Sequence, residues 1–466
     1  MMRPGEAVRS LGTFRSLRNR NYRLFFSGQI VSLTGTWMQS VGQAWLILEL
    51  THSALALGFT AALQFLPMLV LGPWGGLIAD RVDKRKLLMG TQAAAATLAL
   101  ILGVLTVTHH VHPWVVYLMA SLLGLVNVVD MPGRQSFVME MVGPRDVTNA
   151  VSLNSVVVNG ARIVGPAVAG LLIATVGIGL CFLANAVSYM AVIVALVAMR
   201  PAELRRDAPM ARAKGQLREG FRYVWGNPEL RDPLLMMLVV GTLAYNFSVV
   251  LPLVAKDVFH RGALEYGWLF SLMGAGAVIG GLVVASRGRA SRTLLTIATG
   301  VFGLAILGAA VAPTLTWELV AMVPMGAAST VFIATSNALL QLGASPQMRG
   351  RVMALFAVVF LGSTPIGGPL VGWIAERFGP RVSLDVAGIA TVLTGVVGWF
   401  VLRRSLGRTR RGEAGEGSAR DRTGQLVVAP TRQHLVDGGH DEEREQHDEG
   451  HRGPPAHAGR LANRSE

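Results

Sequence analysis

The sequence contains a single cysteine, Cys181, among 466 residues. That excludes an intramolecular disulfide and any Cys-rich metal site. Charge is also sparse. Asp, Glu, Lys and Arg make up 15% of the chain, against about 25% in an ordinary soluble domain. Such a chain cannot clothe its whole surface for water. Signatures of catalysis are missing as well. There is no phosphate-binding P-loop, no metal-ligand spacing in the apolar segments and no nucleophile elbow. The chain is therefore not expected to be an enzyme or to carry a cofactor or metal. Any energy it uses has to come from an ion gradient or a partner.

What fills the sequence instead is apolar. Hydrophobic residues make up 52% and the mean hydropathy is +0.47. The 54 glycines suit helices that pack closely in a bilayer. The net charge is +14, which in a soluble protein points to nucleic acid. Here the basic residues sit between apolar runs, so a lipid bilayer accounts for them and no nucleic-acid partner is expected. Arg3, Arg9, Arg15, Arg18 and Arg20 precede an apolar run of span length without a cleavage site. We read that run as a first membrane helix with a basic start, not as a signal peptide.

A spanning helix needs roughly 20 apolar residues, because lipid offers the backbone no hydrogen bonds. Candidate spans lie near 22–49, 55–79, 86–107, 114–138, 148–175 and 180–199, then 232–254, 265–285, 293–312, 316–341, 352–375 and 382–402. The expected fold is all-α and polytopic, with twelve transmembrane helices in two pseudo-symmetric six-helix bundles. Residues 1–20 form a basic start, 21–200 the first bundle, 201–230 a linker, 231–404 the second bundle and 405–466 a tail. The tail is rich in Arg, Gly, Glu, Asp and His and buries too little to fold. In the linker, Leu217, Phe221, Val224 and Trp225 share a helical face opposite Arg218 and Arg222, as in a helix lying on the membrane surface. Lys and Arg gather in alternate loops: Arg81, Lys84, Arg85 and Lys86; Arg145; Arg287, Arg289 and Arg292; Arg349 and Arg351. The positive-inside rule then places both termini in the cytoplasm of a cell, inner or plasma, membrane.

The halves echo each other. "GPRDVTNAVSLNS" from Gly143 precedes the fifth span and "SPQMRGRVMALFA" from Ser345 the eleventh. "GGLIADRVDKRK" from Gly75 precedes the third and "GGLVVASRGRAS" from Gly280 the ninth. Gly165, Pro166 and Gly170 have counterparts in Gly368, Pro369 and Gly372. Three matches in one order argue for duplication of a six-helix unit. Both Gly-Pro groups suit helix bending or close packing.

Gly76, Asp80, Arg81, Asp83, Lys84, Arg85 and Lys86, after the second span, resemble the cytoplasmic signature of the major facilitator superfamily. Asp83 stands where that family usually has glycine. The strings "NRNYRLFFSGQIVSLTGTWMQSVGQAWLILELT" and "DMPGRQSF" resemble a bacterial exporter branch that includes the enterobactin exporter and macrolide efflux proteins. The resemblance runs from about 14 to 402. It implies that Asp80 meets the start of the eleventh span, and that Gly76, Asp80, Arg81, Lys84 and Arg85 act as a gate latch. The alternative is that the basic residues only set topology. It further implies that the first, fourth, seventh and tenth spans line a cavity. Candidate lining residues there are Ser32, Thr36, Gln39, Gln43, Asn127, Thr242, Asn246, Asn337 and Gln341; interhelical hydrogen bonding is the competing role.

Ionisable residues inside spans are expensive and functional by default. Asp130 and Arg134 lie one helical turn apart in the fourth span, and Arg162 lies mid-way along the fifth. Asp130 is a candidate proton carrier tuned by Arg134 or Arg162, or else a structural ion pair. The expected function is proton-coupled export of small amphipathic, drug-like or siderophore-like molecules by a monomer. A nutrient importer on the same fold and a non-transporting scaffold are the alternatives.

Overall fold

A computed structural model describes residues 12–205 and 216–423, and every regular element among them is helical. Six long helices form the first half: α1 Arg20–Thr51, α2 Ala54–Arg81, α3 Lys84–Val107, α4 Pro113–Val142, α5 Val147–Val176 and α6 Ile178–Val197. A short helix, α7 (Gln216–Trp225), leads into the second half. There the seventh span is broken into α8 Pro228–Ala244, α9 Phe247–Leu253 and a π-helical turn, Val254–Val258. It is followed by α10 Ala263–Arg287, α11 Arg292–Ala310, α12 Leu315–Gly343, α13 Arg349–Phe378 and α14 Pro380–Thr423. Among the described residues, eleven segments are long and apolar enough to cross a membrane. The first, α1, is 32 residues long but falls outside that set, since Ser32, Thr36, Gln39 and Gln43 dilute its hydropathy.

Side-chain caps set many of the helix starts. Asn19, Ser53, Asp83, Ser291 and Thr314 each accept a backbone N–H from the first turn, which satisfies donors that the helix cannot. Asp83, the departure from the family's usual glycine, is thus the cap of α3. In the seventh span Asn246 Nδ2 donates to the Thr242 carbonyl at 2.7 Å. The side chain takes the acceptor that the helix ladder would use, and the helix breaks there.

Duplication is visible in the corners. Gly177, between α5 and α6, has φ 97° and ψ 162°; Gly379, between α13 and α14, has φ 95° and ψ 157°. Only glycine adopts this conformation without strain. Beyond each corner a side chain reaches back twelve residues to a carbonyl: Cys181 to Ala169, and Ser383 to Val371.

The helix α14 runs to Thr423, past the change of composition at residue 405. The rest of the expected tail, 424–466, and linker residues 206–215 lie outside the described residues. Within α7, Val224 is buried while Phe221 and Trp225 are exposed and stack at 5.3 Å. The helix is tied to α13 by Glu219–Arg351 at 2.6 Å. Hydrogen bonding by the Ser345 side chain and then by its amide, which donates to the Tyr223 hydroxyl, holds that phenol below its ordinary pKa.

Candidate functional site

The two halves meet through two equivalent helix pairs. In the first, α2 against α13, a Cβ on Gly58 would lie 2.3 Å from the Gly368 carbonyl, and one on Gly372 would lie 2.5 Å from that of Ala54. In the second, α5 against α10, a Cβ on Gly267 would lie 2.5 Å from the Pro166 carbonyl, and one on Gly170 would lie 2.8 Å from that of Ala263. Backbones touch because glycine has no side chain to hold them apart. These contacts lie toward the end where α1 joins α2, called here the far end. Glu376, in the last turn of α13, adds hydrogen bonds from the Ser53 hydroxyl and from the Leu55 amide at 2.9 Å.

Toward the opposite end, which carries Arg81, Lys84 and Arg85, the pairs part. A Cβ at Gly72 on α2 or Gly160 on α5 would find no atom within 4 Å. Leu66, Val70, Trp74 and Ile78 of α2, and Val151 and Val156 of α5, are exposed. The bundle is shut at the far end and open at the basic one.

The signature loop divides in two. Lys84 Nζ lies 2.5 Å from Glu140 Oε1 of α4, and Arg85 donates to the Leu196 and Val197 carbonyls that end α6. Both therefore bind within the first half. Gly76 is buried, and its neighbour Gly75 makes the close approach, to Val128 of α4. Among the described residues Asp80 and Arg81 form no hydrogen bond or ion pair that reaches the second half. The start of α13 is held by α7 instead, consistent with the parting of the halves at this end.

Asp130 is 4% exposed and fully satisfied. It accepts from Thr91 Oγ1 at 2.6 Å and Gln92 Nε2 at 2.9 Å, both on α3, and from Arg134 Nη2 at 2.6 Å. Arg134 also donates to Gln29 of α1. This network lies wholly inside the first half, and Arg162 does not join it.

The candidate lining residues separate similarly. Gln39 accepts from Asn185 of α6 at 2.6 Å, and the Thr36 hydroxyl lies 3.4 Å from that of Tyr189. Ser32 and Gln43 are buried, while Asn127 is half-buried. Thr242 donates to the Leu238 carbonyl, Asn246 is buried with its Oδ1 unpartnered, and Gln341 donates to Asn337. Gly165 packs on α1 beside Trp37.

Between the halves, at mid-length of the helices, lies an aromatic cluster. The Arg162 guanidinium sits 5.7 Å from the Trp37 ring centroid, and Trp37 packs against Phe270 of α10 at 5.9 Å. Tyr245 sits at the break between α8 and α9. Its hydroxyl donates to the Ser329 carbonyl at 2.5 Å, and its ring meets Phe302, Phe332 and Phe360. Nearer the far end, Trp45 stacks on Tyr266 at 6.0 Å. Sequence reading chose polar residues and passed over Trp37, Tyr245 and Phe270. The signal available was Trp37 beside Thr36 and Tyr245 beside Asn246; Phe270 lies on the eighth span, which was not read as lining.

Comparison with known proteins agrees with this architecture. The transmembrane secretion effector family model matches residues 11–415. The staphyloferrin A transporter of Staphylococcus aureus is 27% identical over 391 residues, covering 82% of this chain and 96% of that protein. The multidrug efflux pump Tap of Mycolicibacterium fortuitum is 28% identical over 384 residues, covering 79% and 92%. A bacterial homologue of the human lysosomal transporter Spinster, solved inward-facing and unoccupied, superposes with a TM-score of 0.65 at 14% identity, over 81% of this chain and 94% of that one. The chain is a membrane transporter of the major facilitator superfamily and belongs to its transmembrane secretion effector family.

Proposed function

We propose that the protein is a secondary active exporter of small amphipathic molecules, working as a monomer by alternating access and driven by proton antiport. In this reading the basic end faces the cytoplasm, because loops rich in Lys and Arg stay on that side. The observation that carries it is the pair of helix contacts closed at the far end and parted at the basic end, with an aromatic cluster between. Rocking the halves about such a site exposes it to each side in turn. An apolar cluster with few polar groups suits amphipathic cargo. Outward transport is supported by the likeness to a multidrug efflux pump.

Asp130 supplies the coupling in this scheme. Protonating it would release Arg134 and hence Gln29 on α1, a helix that also contributes Trp37. Cargo and proton would then act on one helix, about two turns apart. The test is efflux of hydrophobic antibiotics, dyes and siderophores from cells lacking their own pumps, with and without a protonophore, normalised to protein amount. Protonophore-sensitive efflux lost in Asp130→Asn is the expected result. Full activity of that variant would remove Asp130 from coupling, and uptake in place of efflux would reverse the direction.

A further inference from the structure

We propose that Arg162 binds an anionic group on the cargo, a carboxylate, with Trp37 packing beside it. This rests on the transporter reading and adds the chemical class of the molecule carried. Arg162 lies fifteen residues into the 30-residue helix α5, about 22 Å along its axis at 1.5 Å per residue. That is the depth at which a charge costs most. A guanidinium keeps its proton in proteins, so the cost is not escaped by neutralisation.

Other cations in the bundle are compensated by the chain itself. Arg134 has Asp130, Lys84 has Glu140, Arg85 has two carbonyls at the end of α6, and Arg381 has the Ala312 carbonyl. Arg162 has no acid. Among the described residues it forms no ion pair or hydrogen bond, and its Nε is buried without a partner. The Tyr245 hydroxyl already spends its proton on Ser329. Glu318, a buried carboxylate with both oxygens unpartnered, is in the first turn of α12. It lies eleven residues before Ser329, about 16 Å along that helix, so it is not the counter-ion. The ring of Trp37 offsets part of the charge but leaves the planar donor fork unused.

The location decides what the partner is. Arg162 and Trp37 come from the first half, Phe270 and Tyr245 from the second, and the gap between the halves opens at the basic end. An anion reaching Arg162 from there arrives with whatever enters that gap. Arginine and carboxylate match as two parallel hydrogen bonds, and an aromatic or apolar body beside the carboxylate would meet Trp37 and Phe270.

The experiment compares 2-naphthoate with its neutral amide, 2-naphthamide. Both are titrated onto the full-length protein in phosphatidylcholine nanodiscs, which carry no net anionic lipid to compete. Wild type is expected to bind the carboxylate about tenfold more tightly than the amide, the range of one charged hydrogen-bonded contact. Arg162→Lys retains part of the preference and Arg162→Gln abolishes it. Since Arg162 has no acid or hydrogen-bond acceptor to orphan, ligand-free Arg162→Gln should unfold at a temperature no lower than wild type. Equal binding of the two probes by wild type, or an unchanged preference in Arg162→Gln, overturns the proposal; so does marked destabilisation of that variant, which would make the arginine structural. The efflux assay separates the two readings. Carboxylate preference without efflux leaves Arg162 as assigned and removes export. Efflux of cationic dyes that Arg162→Gln does not alter, with no carboxylate preference, does the reverse.

Discussion

Glu376 in the last turn of α13 accepts hydrogen bonds from the hydroxyl of Ser53, the N-cap of α2, and from the Leu55 amide in its first turn. One carboxylate thereby joins the halves at the far end while also capping a helix whose exposed N–H groups favour an anion. Glu376→Ala removes both effects and leaves that end held by glycine packing, the Trp45–Tyr266 stack and the Lys256–Leu48 hydrogen bond. Labels at Leu50 and Arg377, introduced as cysteines in a Cys181→Ala background, should then show a longer or broader distance distribution by pulsed electron resonance. An unchanged distribution would mean that the remaining contacts, Gly58, Gly368 and Gly372 among them, suffice.

That glycine contact has its own test. A side chain at Gly58 would collide with the Gly368 carbonyl 2.3 Å away, and backbone cannot step aside as a flexible side chain can. Gly58→Val should abolish transport by preventing far-end closure, with the protein still inserted. Gly160→Ala is the control, since a Cβ there meets nothing within 4 Å, and its transport should stay within about twofold of wild type. Equal loss in both variants would refute a specific role for the α2–α13 contact.

The signature loop predicts two different phenotypes from neighbouring residues. Lys84 and Glu140 form a pair with side chains 10% and 8% exposed. Removing one partner strands a buried charge at a cost on the order of 3 kcal/mol. Lys84→Ala should therefore lower the thermal midpoint and the amount of folded protein. Asp80 has no such partner, so Asp80→Asn should fold normally and instead slow turnover, through the contact expected when the basic end closes. Normal turnover in Asp80→Asn would leave the loop with a topological role only.

The all-α, polytopic fold was legible in the sequence because it is written locally, in apolar run length and charge placement. The expected span 148–175 lies within Val147–Val176, and 55–79 within Ala54–Arg81. The site was less legible, because a helix has several buried faces and the sequence does not say which faces the other half. Gln39 and Thr36 turn to α6, whereas Trp37, between them, turns to α5 and α10. A rotation of 100° per residue is enough to send adjacent residues to different neighbours. Arg162 could be picked out as a charge at membrane depth, but its distance from Asp130 is a matter of packing between helices.

The Asp130–Arg134 pair offers a way to separate stability from coupling. Asp130 is buried at the centre of four hydrogen bonds, and its neighbour Arg134 is partly exposed. Asp130→Asn keeps an oxygen for Thr91 and Gln92 but leaves Arg134 with Gln29 as its remaining acceptor, so folded protein should decrease. Adding Arg134→Gln removes the stranded charge, and the amide of Gln can donate to Asn as the guanidinium did to Asp. The double variant should regain most of the lost stability, as replacing a whole buried pair usually does. A purely structural pair would restore efflux along with the fold. A proton carrier would not, because Asn has no proton to exchange, and efflux of the double variant should stay insensitive to a protonophore and near background. Measuring melting temperature and protonophore-sensitive efflux on the same four proteins, wild type, both singles and the double, therefore decides which of the two roles Asp130 performs.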